Sequence, residues 1–180
     1  NAGNDPQGAN AIAIGLNTGQ TVQGANSIAI GANAGTNMQG DFSIAIGDNA
    51  GQTNQSANCI AMGVSAAQTN QAQYSIAIGW QSGSDNQGTT SMAIGSLSGQ
   101  VYQAQGAIAI GSNAGNSTQG EDSIAIGGSA GQFSQGDYAI AIGEVAGSSY
   151  QGTLAVAIGN AAGEFTQGDH SIAIGNAAGY

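Results

Sequence analysis

Large aliphatic and small side chains alternate in one short segment that recurs along the whole chain. In the copy SIAIG, at residues 27–31, Ile28 and Ile30 flank Ala29. Apolar side chains two residues apart share one face of a strand, and β-branched isoleucine favours strands over helices. Glycines interrupt the chain on both sides of most copies, as is typical of turns. The pattern therefore predicts many short strands separated by tight turns.

The segment repeats with a period of 16 residues, without insertion or deletion. A unit of this length cannot bury an apolar face alone, so we expect the units to stack as coils, with each strand beside its copy in the next coil. The fold class predicted is all-β, a parallel β-solenoid or β-roll of about eleven 16-residue coils. Coils about 4.8 Å apart make a rod roughly 50 Å long.

A single repeat domain is expected over residues 1–180. The sequence begins and ends within a repeat, so we expect a mature or partial form of a longer chain. Each coil is expected to hold a second strand near the segment that contains its invariant glutamine, for example 36–40.

The isoleucines are expected to point inward as two continuous stacks. Burying one isoleucine contributes about 1.5–3 kcal/mol, so two stacks would be the main source of stability. The predicted core ladder consists of Ile12, Ile14, Ile28, Ile30, Ile44, Ile46, Ile76, Ile78, Ile124 and Ile126.

The alanines between the isoleucines are then expected on the outer face, in a smooth strip of Ser, Ala and Gly. Small side chains let another backbone approach closely, and the alanine column never varies. The strip is therefore a candidate self-association face, with a solvated surface that tolerates alanine as the alternative. It comprises Ala29, Ala45, Ala61, Ala77, Ala93, Ala109 and Ala125.

A glutamine closes every unit and has two interpretations. Its amide could bond its copy or a turn backbone in the adjacent coil, as amide ladders do, or the row could be an exposed array that recognises a ligand. The structural interpretation is preferred because each glutamine stands beside a small residue. The predicted glutamine ladder includes Gln23, Gln39, Gln55, Gln71, Gln87, Gln119 and Gln135.

Charge narrows the possible partners. The chain has 10 acidic residues, no Lys or Arg, and a net charge of −10. Nucleic-acid binding depends on cations that neutralise phosphates, so we expect no nucleic-acid partner. No apolar run is long enough for a transmembrane helix, so we expect no membrane insertion by this segment.

Candidate chemistry is sparse, and we expect no enzyme activity and no cofactor. His170 is the only histidine and lies in a variable column, which does not favour a general base. Cys59 takes the place of a serine, so we interpret it as a small residue and not as a nucleophile. Ca²⁺ at a coil edge is a weaker alternative, since four acidic residues share one column. These are Asp41, Glu121, Asp137 and Asp169.

Aromatic side chains occupy variable columns, where they could form contact spots for a partner or cover turns. Phe42, Tyr74 and Tyr138 share one column, and Phe133 and Phe165 share another. Two glycosylation sequons, at 54–56 and 116–118, are compatible with chance in an Asn- and Ser-rich chain.

The units NSIAIG (26–31), YSIAIG (74–79) and DSIAIG (122–127) resemble the head repeats of trimeric autotransporter adhesins of the YadA type. The resemblance implies a left-handed parallel β-roll, a homotrimer, a bacterial surface location, and binding of host matrix proteins or self-association. The period of 16 departs from the family's repeat of about 14 residues. No binding residue is carried over.

These observations favour an extracellular structural or adhesive surface rod, or a filament subunit, whose partners are copies of itself and a host matrix protein or surface glycan. A phage or virus fibre of the same fold, on a virion surface, is one alternative. An ice-binding β-solenoid is another, although the threonine column of Thr21, Thr53 and Thr69 is interrupted by Asn37 and Asp85.

Overall fold

The computed structural model describes residues 2–3 and 6–179, so Asn1 and Tyr180, the ends of the predicted domain, lie outside the described residues. The described part of the chain forms 21 parallel strands of three residues, arranged in a sheet of 11 strands and a sheet of 10 strands. It contains no helix that could cross a membrane. The prediction of an all-β parallel solenoid is confirmed.

The first sheet carries the IAI segments, and its strands are the odd-numbered ones. They are β1 (Ile12–Ile14), β3 (Ile28–Ile30), β5 (Ile44–Ile46), β7 (Ile60–Met62), β9 (Ile76–Ile78), β11 (Met92–Ile94), β13 (Ile108–Ile110), β15 (Ile124–Ile126), β17 (Ile140–Ile142), β19 (Val156–Ile158) and β21 (Ile172–Ile174).

The second sheet carries the segments that end in glutamine. Its strands are β2 (Thr21–Gln23), β4 (Asn37–Gln39), β6 (Thr53–Gln55), β8 (Thr69–Gln71), β10 (Asp85–Gln87), β12 (Val101–Gln103), β14 (Ser117–Gln119), β16 (Phe133–Gln135), β18 (Ser149–Gln151) and β20 (Phe165–Gln167). The position of β4 confirms the second strand expected near 36–40.

Each strand pairs with its own copy one period later. Ala29 lies opposite Ala45 in the first sheet, and Gln39 lies opposite Gln55 in the second. Identical side chains therefore stack in straight columns along the rod, because the period has neither insertion nor deletion.

The glycine that follows each IAI segment is required by the turn. Gly47 has φ 133°, a conformation essentially restricted to glycine. A Cβ atom built on Gly47 would lie 2.4 Å from the carbonyl oxygen of Gly63, its copy in the next coil. Backbones of successive coils thus approach too closely at this corner for any side chain, which explains why this column is glycine in every unit.

The orientation of the first sheet is opposite to the prediction. Ala77 is 0% exposed, whereas its neighbour Ile78 is 37% exposed. The isoleucines point outward, and every member of the predicted core ladder is half-buried or exposed in the single chain. That correction applies to Ile12, Ile14, Ile28, Ile30, Ile44, Ile46, Ile76, Ile78, Ile124 and Ile126.

The alanines fill the interior, so the predicted self-association face is also wrong. A side chain with no exposed surface offers nothing to a partner chain. The correction applies to Ala29, Ala45, Ala61, Ala77, Ala93, Ala109 and Ala125, each 0% exposed.

The glutamines of the second sheet are the physical reason for both errors. Gln39, Gln55 and Gln87 are each 1% exposed and extend into the space between the two sheets. Once a glutamine occupies that space, only a methyl group fits opposite it. Interiors are packed to the density of organic crystals, so a second large side chain has no room there.

Candidate functional site

The outward side chains of the first sheet form a continuous apolar surface, which we call the isoleucine face. It consists of the first and third residues of all 11 first-sheet strands, which are Ile except for Met62, Met92 and Val156. Its exposure rises toward the ends of the rod, reaching 72% at Ile172. With coils about 4.8 Å apart, the face is roughly 50 Å long and two side chains wide.

The isoleucine face has no polar side chain among its members. Monomeric soluble proteins rarely expose contiguous apolar patches larger than a few hundred Å², and larger patches mark interaction sites. The face is therefore the strongest candidate for an interface in this chain. Sequence reasoning identified its residues but placed them on the wrong side of the sheet.

Behind this face, the glutamine column ties the two sheets together. The side-chain Nε2 of Gln39 donates a 2.8 Å hydrogen bond to the carbonyl oxygen of Ile28, and the same bond of 2.8 Å joins Gln55 to Ile44. Gln55 also donates to Oε1 of Gln71, its copy in the next coil, at 3.0 Å. The glutamines are buried structural groups and do not form an exposed array.

Six of the glutamine side-chain oxygens have no conventional hydrogen-bond donor, and the glycine column beside them explains this. A Cβ atom built on Gly35 would lie 2.9 Å from Oε1 of Gln39, so a Cα hydrogen of this glycine points at that oxygen. Such C–H···O contacts are weak but recurrent. The six oxygens belong to Gln23, Gln39, Gln55, Gln87, Gln103 and Gln135.

The residue that precedes each strand of the first sheet is Ser, Ala or Cys and is buried from Ser27 to Ala155, and its side chain, where it is Ser or Cys, bonds to a turn. Oγ of Ser43 donates to the carbonyl oxygen of Ser56 at 2.8 Å, and Sγ of Cys59 lies 3.0 Å from the equivalent oxygen of Ala72. Burial raises the pKa of the Cys59 thiol. Cys59 therefore occupies a serine's place as a protonated, inert group.

Three aspartates of the acidic column each bond to a backbone N–H group one coil earlier. Oδ1 of Asp41 accepts a hydrogen bond from the backbone N–H of Ala25, one coil earlier, at 2.7 Å. Asp137 and Asp169 accept equivalent bonds, each 2.9 Å long. Within residues 2–3 and 6–179, no three His, Cys, Asp or Glu side chains form a group that could hold a metal ion.

Aromatic residues lie on two other surfaces of the rod. Phe42, Tyr74 and Tyr138 are exposed at the turn that leads into the first sheet. Phe133 and Tyr150 are exposed on the outer face of the second sheet, opposite the isoleucine face. The first group therefore lies at a turn and the second on the face of a sheet, so the two groups belong to different surfaces.

Comparison with family models gives one match. The model described as the YadA head domain repeat matches residues 23–50, in two copies. Residues 23–50 of this chain are thus similar to YadA head repeats. The matched region spans β3, β4 and β5, including the unit NSIAIG at 26–31 that suggested the resemblance. A comparison with curated proteins gave no match.

The 16-residue repeat continues beyond the matched region without a change of period. The strands after residue 50 pair with the same register as those within it, from Ile44 opposite Ile60 to Val156 opposite Ile172. The architecture of the described chain is thus uniform within and beyond the matched region.

Proposed function

We propose that this chain is a structural and adhesive rod of a cell surface, which self-associates side by side through its isoleucine face. The proposal is carried by one observation: a regular solenoid of YadA head repeats exposes an unbroken row of large aliphatic side chains along its length. Removing that row from water is favourable in proportion to its apolar area. The partner that matches it in length, regularity and chemistry is another copy of the same rod.

Several features support a parallel homo-oligomer, with a trimer as the form that the YadA resemblance implies. The coil spacing of two copies is identical, so isoleucine rows from parallel rods interdigitate at every level. The uncharged face adds no repulsion despite the net charge of −10. The acidic side chains of Asp48 and Glu144 lie outside the face, in the turn that follows it, where they are exposed to solvent.

The ice-binding alternative finds less support. The outer face of the second sheet has threonine at Thr21, Thr53 and Thr69, but Asp85 and Val101 continue the same column. A regular lattice of one hydroxyl side chain is what that function would need. A phage or virus fibre would assemble in the same proposed way, and it would differ only in being carried by a virion instead of a cell.

Multi-angle light scattering of the purified chain tests the proposal. We expect a mass that is an integral multiple of the chain mass, and three times it for the trimer. A variant with Ile76→Thr, Ile78→Thr, Ile108→Thr and Ile110→Thr should be monomeric, because threonine keeps the strand preference while removing apolar surface. Val101→Thr on the second sheet is the matched control and should assemble normally.

A monomeric wild-type chain, or a four-threonine variant with the wild-type mass, would contradict self-association through this face. Circular dichroism of the variants establishes that the strands persist. Adhesion is measured separately, by coating beads with the protein and scoring their clumping by light microscopy.

A further inference from the structure

The two faces of the rod differ in chemistry. The isoleucine face is aliphatic, whereas the outer face of the second sheet becomes aromatic in its C-terminal half. Tyr102 is 60% exposed, Phe133 44% and Tyr150 65%. Of the earlier strands of the same sheet, β2 and β4 carry Val22 and Met38 at the middle position, and β6, β8 and β10 carry amides there, with Asn54 donating to Asn70 at 3.0 Å.

Regular pairing fixes the spacing of these rings. Phe133 and Phe165 are the partners of Ser149 in the two neighbouring strands, so they lie two coils, about 10 Å, apart. Tyr102 and Tyr150 occupy the middle positions of β12 and β18, three coils, or about 14 Å, apart. The rings therefore lie in two adjacent columns that run along the rod axis.

Small hydroxyl residues occupy the places between the rings. Ser117 and Thr118 lie in the strand between Tyr102 and Phe133, and Ser149 adjoins Tyr150. An aromatic ring offers a broad apolar face, and a hydroxyl both donates and accepts hydrogen bonds. A pyranose ring needs this combination, since it has an apolar face of C–H groups and a rim of hydroxyls.

Charge on this surface matches a neutral ligand. Across strands β12, β14, β16 and β18 no residue is acidic or basic, and the nearest acids along the sheet are Asp85 and Glu164 at its borders. The chain has no Lys or Arg to attract an anionic polymer. A polycation would bind the carboxylates of this chain, which lie outside these strands.

We infer that the outer face of the second sheet over β12–β18, with Phe165 at its edge, binds an extended neutral polysaccharide along the rod axis. The aromatic rings stack on successive sugar rings, and the serine and threonine hydroxyls between them bond the sugar hydroxyls. This inference rests on the proposed function, because it supplies a ligand for the adhesive rod. It uses the face that side-by-side assembly leaves open.

Co-sedimentation with insoluble polysaccharides tests the inference. The probes are microcrystalline cellulose and chitin, together with soluble xylan in affinity electrophoresis. We expect the assembled wild-type protein to bind at least one of the three. A variant with Tyr102→Asn, Phe133→Ser and Tyr150→Asn should lose at least tenfold in affinity, and each replacement already occurs in the same column.

The matched control removes three aromatics from the other surface. A variant with Phe42→Asn, Tyr74→Asn and Tyr138→Asn keeps the residue type found at Asn26 and Asn58, and it should bind as the wild type does. Heparin is the anionic control and should not bind.

Absence of binding to all three neutral polymers, or equal binding by both triple variants, would overturn the inference. So would a change of mass in light scattering for the Tyr102, Phe133 and Tyr150 variant, because that result would make this face a contact between copies. Wild-type assembly measured in the same samples keeps this outcome separate from failure of the proposed function.

Discussion

The side-chain amide of Gln87 donates a 2.6 Å hydrogen bond across the interior of the rod to the carbonyl oxygen of Ile76. This contact joins the second sheet to the first, and equivalents recur from Gln23 to Gln167. Polar side chains thus form the centre of the molecule, and large aliphatic side chains lie outside. The stability of the fold depends on buried hydrogen bonds and close backbone packing.

Gln87→Glu is expected to destabilise the rod increasingly as pH rises. A buried carboxyl has a raised pKa because desolvation disfavours its charged form. The folded state then binds more protons than the unfolded state above about pH 4.3, the ordinary value for Glu, so the free energy of unfolding falls with increasing pH. Urea denaturation followed by circular dichroism at pH 5 and pH 8 measures the difference.

Gln87→Met is the control for that experiment. It also removes the buried hydrogen bond, at a cost of about 1–3 kcal/mol, but it introduces no titrating group. Its loss relative to the wild type should be the same at both pH values. A pH-independent loss in the glutamate variant would show that this side chain reaches water.

Gly79→Ala and Gly83→Ala should differ sharply although the residues are four apart. Gly79 has φ 133°, and a Cβ atom there would lie 2.4 Å from the carbonyl oxygen of Gly95. We expect a loss of more than about 3 kcal/mol, since a backbone clash adds to the conformational strain. Thermal unfolding by circular dichroism measures it.

Gly83→Ala meets side-chain atoms and no backbone, with Oε1 of Gln87 at 2.8 Å and Cβ of Ala77 at 3.2 Å, and φ at this glycine is 50°. The same column already contains Ala67, with φ 45°. The expected loss is about 1–2 kcal/mol, the cost of a left-handed residue with a Cβ atom. Equal losses for both variants would contradict this account of the two corners.

Thr118→Asn is expected to stabilise the rod. Thr118 has φ 52°, which is unfavourable for a β-branched residue, and Asn54 and Asn70 adopt the same conformation in the same column. Asparagine tolerates this conformation, so the free energy of unfolding should increase by about 1 kcal/mol. Urea denaturation measures the change, and Ser117→Asn, at a neighbouring residue without positive φ, should leave stability unchanged.

Cys59 should make the rod less stable in mild alkali. Its pKa is raised by burial, so the folded state keeps the proton that the unfolded state loses near pH 8.5. The free energy of unfolding should therefore decline between about pH 7.5 and pH 9.5, the range over which the thiol of the unfolded chain loses its proton. Cys59→Ser removes that part of the decline and restores the serine of the column.

Reaction of Cys59 with an aromatic disulfide reagent provides a second measurement. The thiol should react slowly in the native protein and rapidly in urea, because only the unfolded chain exposes it. Rapid reaction of the native protein would contradict its burial.

The period of 16 was sufficient to predict the solenoid, its parallel pairing and the second strand near 36–40. Which side of the first sheet faces inward was not predictable from alternation alone. Alternation shows that Ile28 and Ile30 share a face and that Ala29 does not, but it does not say which face is buried.

A signal for the correct orientation was present in the variability of the columns. The isoleucine columns admit Met62, Met92 and Val156, whereas the column of Ala29 admits nothing else. A position that tolerates only a methyl group is confined, and the confining group is a glutamine from the other strand. The predicted bond between copies of the glutamine is present, as between Gln55 and Gln71, whereas its bond to the carbonyl oxygen of Ile44 across the interior does not follow from the sequence pattern, which favours a turn for a polar residue.

The in-register pairing of identical corners has a consequence for how such molecules change over generations. Deleting or duplicating one 16-residue unit would bring together two coils that already fit, since every junction in the described rod is built alike. Recombination within the gene would then lengthen or shorten the rod in steps of about 4.8 Å, and no intermediate would have to refold its interior.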